Sequence, residues 1–163
     1  MSDVFFSGFD LDSRLKKTIE KAGFDEPTPV QRQAIPVALT GRDLLVSAET
    51  GSGKTVAFLL PLMHRLLQKT VEQERVDPSS TRALVLVPTR ELAIQTLKQC
   101  DQLASCSHLK TGLIIGGNSF KYQQSIFRKN PEIIIATPGR MAEHISHGSC
   151  DLTDIEVLVL DEA

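Results

Sequence analysis

The chain has 163 residues, 41% hydrophobic and 23% charged, with a formal net charge of −2. That length supports one domain with a sizeable core, and so small a charge excludes a global attraction to nucleic acid, which would need a local patch. No apolar run reaches the roughly 18 residues of a membrane span, and the N-terminus lacks the basic-then-apolar order of a secretory signal, so a cytoplasmic location is expected. Cys100, Cys106 and Cys150 form no CxxC pair and point to reduced packing residues, not to a disulfide framework or a zinc site.

Residues 1 to 10 read as flexible apart from Phe5, Phe6 and Phe9, terminal aromatics that need a surface to dock on. Leu11, Leu15, Ile19 and Ala22 fall at helical spacing, with Asp10 or Asp12 as cap and Gly23 as stop. The prolines around Thr28 forbid helix and leave a rigid turn, after which Val30 to Leu39 predicts a second helix. Leu44 to Ser47 is a short apolar run of buried-strand type. It leads into Ala48, Glu49, Thr50, Gly51, Ser52, Gly53, Lys54 and Thr55, and a helix is predicted from Lys54 to Gln68, apolar nearly all round and kinked at Pro61. The polar stretch from Gln68 to Arg82, with Asp77-Pro78-Ser79-Ser80, predicts a mobile surface loop.

Four further strands are expected at Ala83 to Val87, Gly112 to Ile115, Ile133 to Ala136 and Val157 to Leu160. Helical patterns run between them: Leu92 to Ala104, Phe120 to Phe127 and Met141 to Ile145. Continuous apolar strands alternating with helices imply an α/β fold, a parallel sheet flanked by helices. In such sheets ligands sit at the carboxyl ends of the strands, and the chemistry-bearing residues of this chain all fall there.

The strand, Gly-rich loop and helix around Gly51 and Gly53 form a phosphate cradle. Glycine lets the backbone curl, successive N–H groups turn inward, the helix dipole adds partial positive charge and Lys54 adds a full one. The loop has Ala48 where the usual pattern starts with glycine. Thr55 is placed to put its hydroxyl on a magnesium ion bridging the phosphates. Asp161 and Glu162 close the last strand: Asp161 would hold the metal, usually through water, and Glu162 would accept a proton from the water attacking the γ-phosphate. His64, His108, His144 and His147 show no ligand spacing and read as surface or packing residues.

The motif order resembles the first RecA-like domain of a DEAD-box RNA helicase over nearly the whole chain. Ala48 to Thr55 is similar to motif I, Pro88-Thr89-Arg90-Glu91-Leu92 to motif Ia, Gly116-Gly117 to the GG motif, Thr137-Pro138-Gly139-Arg140 to motif Ib and Val159 to Ala163 to motif II up to its last letter. Gly23 to Gln31 is similar to the Q motif, and Phe6 stands at the family's spacing for an isolated aromatic. The resemblance implies ATP and Mg2+ as cofactors and RNA as partner. It implies that Gln31 reads adenine, that Phe6 stacks on the base, and that Phe24 belongs to the same nucleotide site. It implies also that Pro88, Thr89, Arg90, Gly116, Gly117, Thr137, Pro138, Gly139 and Arg140 form a strip along the RNA sugar-phosphate backbone, without a sequence code.

The family's pattern divides the chain into a Q-motif region, residues 1 to 40, packed on a RecA-like ATP-binding domain, residues 41 to 163. By the same pattern the sheet is incomplete at the C-terminus, since the family has a Ser-Ala-Thr strand after motif II and then a second RecA-like domain. In related P-loop ATPases that next strand lies between the two nucleotide-binding strands, so its absence should expose apolar side chains on its neighbours. The function expected is therefore the ATP-binding half of an RNA helicase. The alternative is a nucleotide- or RNA-binding fragment that catalyses nothing. A P-loop small-molecule kinase leaves Asp161-Glu162 and the Thr137 to Arg140 turn unexplained.

Overall fold

A computed structural model describes residues 5–72 and 80–162. It divides into two compact units, one built from residues 1–73 and 102–108 and the other from 74–101 and 109–163.

In the first unit, Phe6–Gly8 forms one 3-10 turn, followed by helices α1 (Ser13–Ala22), α2 (Pro29–Leu39) and α3 (Lys54–Glu72). The expected caps operate on α1: Asp12 accepts from the Arg14 backbone N–H at 3.0 Å, and Gly23 ends the helix at φ 70°. Its buried face is Leu15, Thr18 and Ile19, and it packs with α2 on α3. Leu59, Leu60, Met63, Leu66 and Leu67 are fully buried, as an all-round apolar helix requires.

Two expectations fail here. Leu44 to Ser47 is not a strand, and Leu44, Leu45 and Val46 are exposed at 43%, 102% and 41%. An apolar run becomes a strand only when a neighbour supplies the hydrogen-bond ladder, and among the described residues none pairs with this segment. The loop expected from Gln68 to Arg82 is shorter at both ends: α3 continues to Glu72, Thr81 and Arg82 are buried, and residues 73–79 lie outside the described part.

The second unit is a four-stranded, all-parallel sheet in the order β2 (Thr111–Ile114), β3 (Ile133–Ala136), β1 (Ala83–Leu86), β4 (Val157–Leu160). Registers run Ala83↔Ile133, Ala83↔Val157 and Thr111↔Ile133. The connecting helices are α4 (Arg90–Ala104, its first part in this unit), α5 (Phe120–Phe127) and α6 (Pro138–Ser146). β3 is buried on both faces, which its run of three isoleucines dictates. Leu84, Ile114, Phe127, Ile134, Ala136 and Met141 form the core cluster, with Leu86, Ile126 and Leu152 against it.

Gly112 is required where α5 crosses β2: a Cβ there would lie 2.8 Å from both Ile126 Cγ2 and Ile134 Cδ1. At the amino-terminal edge of β1 and β4, the Arg82 Nε donates to Glu156 Oε1 at 2.8 Å, with both side chains under 10% exposed. The Arg82 carbonyl accepts from the Glu156 and Val157 N–H groups, so backbone and side chain of Arg82 both meet the start of β4. Among the described residues β4 pairs on one side only, and Leu158 and Leu160 stand 57% and 59% exposed.

Candidate nucleotide and nucleic-acid sites

The phosphate loop belongs to the first unit. Gly51 and Gly53 take φ of 81° and 90°, the left-handed backbone the curl needs. The Ser52 N–H donates to the Glu49 carbonyl at 3.2 Å, and α3 starts at Lys54. The Lys54 ammonium donates to the Ala48 carbonyl at 2.7 Å, so it folds back over its own loop. The Ser52 hydroxyl is buried without a hydrogen-bond partner. A hydroxyl in that state requires an acceptor, and phosphate oxygens in the curl of this loop would supply one; the residues present therefore fit a bound polyphosphate.

Gln31 is buried and already engaged. Its amide oxygen accepts from the Thr28 N–H at 2.9 Å and its amide nitrogen donates to the Gly53 carbonyl at 3.1 Å. The side chain expected to read a base thus ties the start of α2 to the phosphate loop. The fit is close, since a Cβ on Gly53 would sit 2.5 Å from the Gln31 amide nitrogen. Phe6, the expected stacking residue, is 3% exposed. Its ring meets Phe9 edge-on at 5.8 Å and Phe24 at 6.1 Å, and its N–H donates to the Asp25 carbonyl. The terminal aromatics find their docking surface in one another and in Phe24.

The second unit carries the other candidates at the carboxyl ends of its strands. Seven of the nine residues expected along a nucleic-acid backbone, Pro88, Thr89, Arg90, Gly116, Thr137, Gly139 and Arg140, line one open groove of about 460 Å³, together with Glu91 and Glu143. Gly117 and Pro138 do not line it. Gly117 serves it from beneath: at φ 84° it leaves room for the Arg90 guanidinium, whose nitrogens lie 2.7 Å from where a Cβ would be. Pro138 is the first residue of α6, a position where a missing N–H costs nothing.

Arg140 is held on several sides. Its Nη1 donates to the Asn118 carbonyl at 2.7 Å and to Gln123 Oε1 at 3.0 Å, and its Nε lies 2.8 Å from Glu143 Oε2. His144 is fully buried, stacked on Phe120 at 4.1 Å, with Nε2 3.0 Å from the same Gln123 oxygen. Burial, then the charge of Arg140, pushes its pKa below the ordinary histidine value.

Glu143 and Gln123 were not singled out from sequence, and Glu91 entered only as a letter of motif Ia, outside the expected strip. Gln123 left a signal: with Phe120 and Phe127 it occupies one stripe of α5, and a polar residue on an apolar stripe needs buried partners.

Asp161 and Glu162 follow β4 as expected. The Asp161 N–H donates to the Leu86 carbonyl at 3.0 Å, extending the β1–β4 ladder by one step. Glu162 takes φ 57°, unusual for a residue with a Cβ, which turns the chain sharply at the strand end. Among the described residues no three His, Cys, Asp or Glu side chains cluster as a metal site, and no helix is long and apolar enough to cross a membrane.

A family model described as DEAD/DEAH box helicase matches residues 28–163. The chain is 48% identical over 160 residues to the probable ATP-dependent RNA helicase ddx27 of Dictyostelium discoideum, covering 97% of this chain and 20% of that protein. It is 48% identical over 159 residues to DEAD-box ATP-dependent RNA helicase 28 of Arabidopsis thaliana, again covering 97% and 20%. With ATP-dependent RNA helicase SrmB of Haemophilus influenzae the figures are 42% over 158 residues, 97% and 35%. The chain thus spans about a fifth to a third of the length of these relatives.

Proposed function

Because the chain belongs to the DEAD/DEAH box helicase family, we propose that it is the ATP-binding half of an RNA helicase, coupling Mg-ATP binding and hydrolysis to RNA backbone binding and local strand separation. The observation that carries this reading is the phosphate loop: two left-handed glycines, a lysine at a helix start and an orphaned buried hydroxyl on Ser52.

Nucleotide binding draws the Lys54 ammonium from the Ala48 carbonyl to the phosphates, exchanging a neutral acceptor for a charged one. The loop N–H groups and the α3 dipole hold the same oxygens. Gln31 reaches the adenine edge once its amide leaves Gly53, so nucleotide recognition and loop shape are linked through one side chain, while Phe6 meets the base face only when its ring opens from Phe9 and Phe24. The family pattern offers Thr55 in the first unit and Asp161 in the second as residues that would hold Mg2+, whose chemistry is to neutralise phosphate charge. Glu162 takes the proton of the attacking water. In the groove, Arg90 and Arg140 neutralise backbone phosphates while Gly116 and Gly139 allow close approach, contacts blind to base identity.

A second reading, a module that binds nucleotide or RNA and turns nothing over by itself, is favoured by the exposed Leu44 to Val46 segment beside the loop. Phosphate release with and without RNA separates the two, measured on the intact protein and on the 163-residue chain. On the helicase reading, Lys54→Ala and Glu162→Gln abolish RNA-stimulated release in the intact protein. Undiminished turnover in either variant overturns the assignment of roles.

A further inference from the structure

We infer that Gln123, a fully buried side chain outside every motif named above, is the positioning residue that holds Arg140 open toward the groove and ties it to the Gly116-Gly117 turn. The inference rests on the reading of that groove as a backbone-phosphate site.

The orientation of the Gln123 amide follows from its partners. The Ile115 carbonyl, 2.6 Å away, can only accept, so the amide nitrogen faces it. The amide oxygen therefore faces Arg140 Nη1 and His144 Nε2, both at 3.0 Å, and both must donate. One side chain on α5 thus joins the end of β2, just before Gly116, to the first and second turns of α6.

His144 fixes that oxygen in place. Because an amide oxygen cannot donate, His144 carries a hydrogen on Nε2, and Nδ1, buried without an acceptor, is the nitrogen better left bare. Phe120 stacked at 4.1 Å and Phe127 edge-on at 5.1 Å leave the imidazole little room to turn.

The consequence falls on Arg140. The two Nη1 hydrogens go to Asn118 and Gln123, while Nε is buried 2.8 Å from Glu143 Oε2 in an ion pair without a hydrogen bond, leaving Nη2 as the nitrogen with neither kind of partner among the described residues. That is the group left to meet a phosphate. Without the Gln123 oxygen, only the Asn118 carbonyl opposes the pull of the half-exposed Glu143 carboxylate, and the guanidinium swings into a two-pronged ion pair with it. Its charge is then spent inside the groove.

The test uses the intact protein with a non-hydrolysable ATP analogue and a fluorescent single-stranded oligoribonucleotide, with affinity read across a salt series. Arg140→Ala should weaken binding on the order of tenfold and lower the log–log salt slope by about 0.7, the loss of one single-strand phosphate contact. Gln123→Met, close in volume and without a hydrogen-bonding end, should reproduce both changes. The double variant should bind no more weakly than Arg140→Ala alone.

A Gln123→Met protein with unchanged affinity and slope overturns the inference, as do additive losses in the double variant. An Arg140→Ala protein that binds normally overturns the phosphate reading of the groove itself, and the inference with it. Should Gln123→Met lose its cooperative melting transition, 15N spectra of the unsubstituted protein decide. Hydrogen on His144 Nε2, with slowly exchanging Arg140 Nη1 protons, supports the network; hydrogen on Nδ1 overturns it.

Discussion

The ion pair between Arg82 and Glu156 fixes where the acid pair lands. Both side chains are nearly buried, at 7% and 9% exposure, and their 2.8 Å contact sits at the start of the β1–β4 ladder that ends at Asp161. Arg82→Ala leaves the Glu156 carboxylate desolvated without its guanidinium, and losing one partner of a buried pair costs about 3–5 kcal/mol. For a chain of this size each kcal/mol moves the melting temperature by about 2–4 °C, so a fall of roughly 6–20 °C is expected. Replacing both partners, Arg82→Met with Glu156→Leu, removes the buried charges together and should recover most of the loss. The coupling energy from the double-variant cycle should thus be at least about 2 kcal/mol in urea titrations of the four proteins. Register has a second readout: a strand slipped by one residue turns Asp161 to the other face, so Arg82→Ala should also depress ATP turnover in the intact protein below its melting point. A cost under about 1 kcal/mol, or additive single effects, would refute the claim that this pair sets the register.

Three other outcomes follow from the structure. Gly53→Ala drives a Cβ to 2.5 Å from the Gln31 amide at φ 90°, and nucleotide affinity measured by calorimetry should drop on the order of tenfold; unchanged affinity would mean that the Gln31 to Gly53 bond is incidental. His64 accepts the Asp12 N–H on Nδ1, and burial lowers its pKa, as it does that of His144. The unfolded chain takes up protons near pH 6.5 that the folded chain resists, so this stability is complete above that pH and is lost as pH falls through the lowered values. The urea midpoint should be lower at pH 5.5 than at pH 7.5, in an acidification that His64→Leu partly blunts. Cys100 is buried with its thiol pushed up to about 12, whereas hydrogen bonds led by Thr18 lower that of Cys106, so a thiol reagent under native conditions should modify Cys106 first and leave Cys100 for last. Equal rates would count against these assignments.

The sequence made most of the second unit readable. Continuous apolar runs gave the four strands to within a residue: burial on both faces leaves no room for polar alternation in β1 and β3, and β4 is as apolar although Leu158 and Leu160 are exposed. The α1 boundaries were readable from Asp12 and Gly23, where capping chemistry is local. Leu44 to Ser47 was misread because strand formation is a property of pairs, and one run of apolar residues says nothing about a partner. The Gln68 to Arg82 segment was misread at its end because the opposite charge that buries Arg82 is Glu156, 74 positions away. The groove was legible as separate motifs, but its acidic members and the Gln123 and His144 network were not, since buried hydrogen bonds join residues that no spacing rule connects.

The order of strands in the sheet differs from their order in the chain, and this bears on how the protein emerges from a ribosome. The middle strand β1 is synthesised first, yet its partners are β3 and β4, and Arg82 must wait for Glu156, 74 positions later. At about 5–20 residues per second, that is some 4–15 s during which one flank of β1 has no mate. Nascent chains stalled inside this window should be the ones that a holdase captures, and release should coincide with the appearance of residue 160.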